Sequence, residues 1–132
     1  MGRRQTIEIP GVAHGAPIPM AARVGNIVWS SAIPGKDART GKLPPDGADQ
    51  VRSVFENADA VLAAAGVTRD DLVYLSVLLA AGDLRPEVNR YWLEWFPEAD
   101  DRPARHVTLQ TLPGGMLIQL QLIAVADQPG AS

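Results

Sequence analysis

From Leu117 to Ala124 the chain reads Leu-Ile-Gln-Leu-Gln-Leu-Ile-Ala. That alternation is the period of a β-strand, in which successive side chains point to opposite faces. Leu117, Gln119, Gln121, Ile123 and Val125 then share one face, and Ile118, Leu120, Leu122 and Ala124 share the other. Both faces are largely apolar, so both need cover. Gln5 to Ile9 alternates too and predicts an opening strand, stopped by Pro10-Gly11. Ala21–Val24 and Ile27–Ser31 flank Gly25-Asn26 and read as a hairpin. The stretch from Pro34 to Pro45, rich in Gly, Pro and charge, reads as a loop.

Elsewhere the period changes. Val51, Val54, Phe55, Ala58, Val61, Leu62 and Ala65 recur at helical spacing, with Asp46 as cap and Gly66 as stop. Asp71 to Leu79 is an apolar-rich strand long enough to be central. A second helix, with Asp83 as its cap and Pro86 in its first turn, offers Val88, Tyr91, Trp92, Trp95 and Phe96 for core packing. The order is a strand, a hairpin, a helix, a strand, a helix and two strands. Two helices on one face of such a sheet make an α+β layer and leave the other face bare. A second subunit is the economical cover for it.

Composition narrows the chemistry. The 132 residues are 46% hydrophobic and 20% charged, which suits one globular domain over residues 1–132. A net charge of −3, with scattered basic groups, argues against a general grip on nucleic acid. With no cysteine there is neither disulfide nor thiolate chemistry. The two histidines, His14 and His106, form no paired motif, so no metal site is expected. No 18-residue apolar run and no signal-peptide pattern is present, so no membrane partner is expected and cytoplasmic residence is.

Arg102-Pro103-Ala104-Arg105-His106 carries the most specific chemistry. It sets a guanidinium at the mouth of a strand beside a rigid proline. Such a fork matches a two-oxygen anion. The alternative is a surface ion pair with Glu98, Asp100 or Asp101.

Taken in order, several segments resemble the RidA/YjgF family, also called the reactive intermediate deaminase or L-PSP family. They are Val24-Gly25-Asn26, Ser30-Ser31-Ala32-Ile33-Pro34, Thr40-Gly41, Phe55-Glu56-Asn57, Leu62 through Gly66, Asp70 through Val73, Val88-Asn89, Arg102 through Arg105, and Leu112-Pro113. The resemblance implies a chorismate-mutase-like subunit of the bacillus type, with a mixed sheet and two helices on one face. It also implies a homotrimer around a central barrel, with ligand clefts between neighbours and no cofactor. The implied activity is hydrolysis of small carboxylated enamines and imines to 2-oxo acids and ammonium. Arg105 would grip the substrate carboxylate, and Ile18, Ser30, Ser31, Ala32, Asn89 and Val107 would line the cleft.

The pattern is not kept throughout. Matching the final strand puts Gln121 where deaminating members often carry a glutamate, and an amide can orient water but cannot take its proton. Ala16-Pro17-Ile18 stands for Gly-Pro-Tyr, and Val107 for a cysteine found in some members. Between Ser30 and Ser31 the cleft residue stays open. His14, on a proline-fixed segment, is the candidate base in place of Gln121, since imidazole titrates near neutrality. His106 follows Arg105 on its strand and so points to the opposite face. Asn89 could equally be a helix-to-strand hydrogen bond. The competing functions are a non-catalytic trimer that binds a small carboxylate and, more weakly, an endoribonuclease or translation inhibitor.

Overall fold

The computed structural model describes residues 3–128. The strands are β1 (Gln5–Ile7), β2 (Ala21–Val24), β3 (Ile27–Ser30), β4 (Ile33–Pro34), β5 (Leu72–Leu79), β6 (Ala104–Leu109) and β7 (Ile118–Val125); the helices are α1 (Gly47–Ala65) and α2 (Arg85–Trp95). They form one sheet in the order β1-β2-β3-β7-β5-β6, with β4 also on β7. The β5/β6 pair is parallel and the others antiparallel, so the sheet is mixed as expected.

The closing strand is central because its two faces differ in the expected way. Ile118, Leu120, Leu122 and Ala124 are fully buried under the helices, against Leu75, Val77 and Leu79 of β5 and Val51, Val54, Phe55 and Ala58 of α1. Full burial of one such aliphatic or aromatic side chain is worth about 1.5–3 kcal/mol. The face away from the helices carries Ile27 (52% exposed), Trp29 (59%) and Val125 (44%), in register with one another and with Ile123. Large apolar groups are thus left uncovered by the chain's own elements along one side of the sheet.

Helix α1 begins and ends where its sequence signals lie. The Asp46 carboxylate accepts from the Ala48 N–H at 3.1 Å, and Gly66 closes the helix at φ 75°. Only glycine adopts that φ without strain. A Cβ on Gly66 would also stand 3.2 Å from Nη1 of Arg23. Arg23 reaches beneath this turn and donates to the carbonyls of Ala65 (2.6 Å), Gly25 (3.0 Å) and Gln128 (2.8 Å).

Three expectations need correction. The opening strand stops at Ile7; Ile9 makes only an isolated bridge to Val12. Asp83 does not cap α2: it sits in a 3₁₀ turn, Gly82–Leu84, and the cap position falls on Leu84, which offers no side-chain acceptor. Ile33–Pro34, at the start of the supposed loop, pairs with Leu120 and Gln119 of β7.

Candidate active site

Strand β6 ends the sheet, and its register with β5 decides where Arg105 points. Leu75 lies opposite Arg105, Val77 opposite Val107, and Leu79 opposite Leu109. Leu75, Val77 and Leu79 all face the helices, so Arg105 and Val107 do too. Above them, Arg85, Asn89 and Trp92 follow one another at helical spacing along α2. The Arg105 guanidinium carbon lies 4.9 Å from the centre of the Trp92 ring, a cation–π distance.

No carboxylate comes to Arg105. The ion pairs among the described residues involve Arg39, Arg52, Arg69 and Arg90, and Glu98, Asp100 and Asp101 take part in none. Arg102 turns back to the Phe96 carbonyl at 2.9 Å. Arg105 Nη1 is buried with no hydrogen-bond partner. Burial lowers the Arg105 pKa from its ordinary value, and the nearby charge of Arg85 lowers it further. The group remains a cation, held at a cost that a bound anion would offset.

A concave region lies where β4 meets β7. It is an open pocket of about 310 Å³ lined by His14, Ala32, Lys36, Leu43, Met116 and Gln119, among others. Two buried polar side chains of α1 hold its walls. Gln50 donates to the carbonyls of Pro44 (2.9 Å) and Gly115 (3.2 Å) and accepts from Leu117 N–H (2.9 Å). Asn57 donates to the carbonyls of Pro34 (2.9 Å) and Lys36 (2.8 Å). His14 Nε2 is buried without a partner. Only Arg105 Nη1 shares that condition among the described residues. Unpaired buried nitrogens are uncommon and point to a missing partner.

The expected site residues therefore divide into two groups. Arg105 and Val107 belong to the β6 edge, and Asn89 lies on α2 between Arg85 and Trp92. His14 and Ala32 belong to the pocket, and Ile18, 47% exposed, lines an adjoining groove that shares His14. Ser30 belongs to neither: its buried hydroxyl accepts from Leu122 N–H at 2.9 Å and ties β3 to β7. Ser31 is the half-buried one of the pair. His106 is exposed on the face opposite Arg105, as expected.

Gln121, the amide expected to orient water, stands apart from the pocket. It lies opposite Ser76, exposed on the open sheet face, and does not line the pocket. Gln119, two residues earlier and paired with Pro34, does. The two glutamines share a face and an alternating context, so only the β4 pairing tells them apart. Trp92, expected simply as core, supplies the ring against which Arg105 stacks. Lys36 and Arg85 carried no signal beyond their charge.

Fold and geometry together define an α+β protein with two separate basic regions, each holding an unpartnered buried nitrogen. The family model described as Endoribonuclease L-PSP matches residues 13–126, and the chain belongs to that family, the RidA/YjgF grouping that its motifs resemble. It is 33% identical over 113 residues to a RutC family protein of Pyrococcus horikoshii, covering 84% of this chain and 88% of that one. It is 30% identical over 111 residues to the 2-iminobutanoate/2-iminopropanoate deaminase of Escherichia coli K12, covering 83% and 87%. Among solved structures, E. coli TdcF with bound serine superposes with a TM-score of 0.81 at 27% identity, covering 93% of this chain and 99% of that one.

Proposed function

We propose that this protein hydrolyses small 2-imino acids to 2-oxo acids and ammonium, in clefts shared between the subunits of a homotrimer with a chorismate-mutase-like barrel. The observation that carries this reading is the pair of unpartnered buried nitrogens, Arg105 Nη1 and His14 Nε2. Arg105 shares the helix side of the sheet with Leu75, whereas Gln119 lies opposite Leu78 on the other side. One chain does not direct both groups to one ligand, but two chains can, with Arg105 of the partner subunit facing the His14–Gln119 pocket. The exposed row of Ile27, Trp29 and Val125 supplies the apolar surface that such an assembly would bury.

In this reading the partner's Arg105 takes the substrate carboxylate as a fork, and Asn89 and Val107 flank it. The imine carbon then lies near His14 and Gln119. Water adds to that carbon, the nitrogen gains a proton, and the tetrahedral adduct expels ammonia as its oxygen loses a proton. Water and a protonated imine together balance one 2-oxo acid and one ammonium ion. Gln119 can hold the water by hydrogen bonds but cannot take its proton, which leaves His14 as the acceptor. Orientation and fixed charge supply the rest. The name of the E. coli deaminase supports the substrate class. The endoribonuclease in the family's description fits a chain of net charge −3 less well.

The test is a coupled assay in which a dehydratase generates 2-iminobutanoate and formation of the 2-oxo acid is followed. Wild type should accelerate it and Arg105→Ala should not, while light scattering gives three times the chain mass for both. Tight 2-oxo acid binding without acceleration would instead favour a carboxylate-binding trimer.

A further inference from the structure

The pocket that holds His14 and Gln119 contains a cation for which the reaction above has no use. Lys36 lines it, half-buried, and no Asp or Glu does. Its backbone is fixed. Asn57 holds the Lys36 carbonyl at 2.8 Å, and Gly35 before it packs so tightly that a Cβ would meet the Gln50 carbonyl oxygen at 2.6 Å. The neighbouring carboxylate is occupied: Asp37 accepts from Arg39 Nε (3.1 Å), Nη2 (2.9 Å) and backbone N–H (2.9 Å). Lys36 makes no ion pair among the described residues. At the other half-site, Arg85 adds a second positive charge beside Arg105. Arg85 thus stands beside Arg105 and Lys36 beside His14 in a chain of net charge −3, and none of the four joins an ion pair among the described residues.

We propose that the substrate is a dicarboxylic 2-imino acid whose second carboxylate is held by Lys36. This rests on the imine-hydrolase reading and adds the distal group to it. Arg105 of the partner subunit takes the carboxylate next to the imine carbon. Lys36, on a braced loop, meets the far carboxylate as a point charge, which tolerates variation in approach better than a fork does. Leu43 and Met116 between them cover the connecting methylenes. A monocarboxylic imine would leave Lys36 unpaired in the closed cleft, and that selects against it.

The experiment measures binding of two product-like probes by calorimetry: 2-oxoglutarate, and 2-oxopentanoate, which has the same chain length without the distal carboxylate. Wild type should bind 2-oxoglutarate at least about 10-fold more tightly. Lys36→Met should bring the ratio to within about 2-fold, and Lys36→Arg should retain most of it. Lys42→Met removes the same charge from the same loop outside the pocket and should keep the wild-type ratio. Equal affinities in wild type, or equal losses in Lys36→Met and Lys42→Met, would overturn the dicarboxylate assignment alone. If neither probe binds wild type, or if Arg105→Ala binds both as wild type does, the carboxylate reading beneath it falls as well. Circular dichroism on each variant excludes misfolding as the cause.

Discussion

Two arginines of this chain are drawn out of solvent, and they are treated in opposite ways. Arg23 lies buried between β2 and the end of α1 with three backbone carbonyls around its guanidinium. Those carbonyls sit at a helix C-terminus, in the β2–β3 turn and three residues beyond β7. Arg105 is pressed against Trp92, with Nη1 sealed from water and facing no acceptor, and with Arg85 raising the local positive charge. The first arginine is satisfied by its own chain. The second is complete only with something the chain does not supply. Burial alone does not mark a functional cation; burial without partners does.

The largest effects test this contrast directly. Arg105→Ala should lower 2-oxo acid affinity by about 2–5 kcal/mol, the cost of losing a charged hydrogen-bonded pair in a desolvated setting. That is roughly 30-fold to several thousand-fold. Unfolding stability should change by no more than about 1 kcal/mol, because the lost Trp92 contact is offset by removal of an unpaired buried charge. Arg105→Lys should rescue poorly, since a point charge cannot reproduce the fork. Arg23→Ala should behave in reverse. Three carbonyls lose their donor, and urea unfolding should show a loss of about 2–4 kcal/mol. The folded fraction should bind 2-oxo acids within about 2-fold of wild type. A large stability loss at Arg105, or a selective binding loss at Arg23, would dissolve the distinction.

The same contrast at smaller scale separates two adjacent serines. The buried Ser30 hydroxyl accepts from the Leu122 N–H, so Ser30→Ala should cost about 1–3 kcal/mol in stability. Ser31→Ala should stay within about 0.5 kcal/mol in stability, as at other incompletely buried positions. Thermal melts of the two variants decide it; equal losses would mean that the hydrogen bond to Leu122 carries no special weight.

What could be read from the sequence was what local chemistry decides. Asp46 and Gly66 bound α1 because a cap and a left-handed glycine act within one turn. The alternation of β7 fixed which side chains share a face, and Arg105 stood out beside its proline. Other features depend on contacts between distant segments. Asp83 failed as a cap because a 3₁₀ turn inserted itself before α2. Ser30 was indistinguishable from Ser31 until β3 met β7. Trp92 looked like any core aromatic until β6 brought Arg105 beneath it. Lys36 became notable only through a pocket built from four separate loops.

The choice between Gln119 and Gln121 is the finest of these distinctions, and it yields the last prediction. Both project from the same face of β7, about 7 Å apart at two residues of strand rise. Only Gln119 lines the pocket with His14 and Lys36. A glutamate at position 119 would be ionised at neutral pH, as carboxyls ordinarily are and as Lys36 beside it favours. It could then accept the proton of the attacking water, a task the amide cannot perform. Gln119→Glu should therefore raise the rate of 2-iminobutanoate hydrolysis by about 10-fold, a modest part of the range general bases reach, because in the proposed cleft orientation falls to the partner's Arg105. It should also weaken binding of 2-oxoglutarate, since the new charge competes for Lys36. Gln121→Glu, on the open face, should leave turnover within about 2-fold, a change too small to count against a barrier. If Gln121→Glu accelerates the reaction and Gln119→Glu does not, the catalytic water lies beside position 121, and the pocket of His14 is not where hydrolysis occurs.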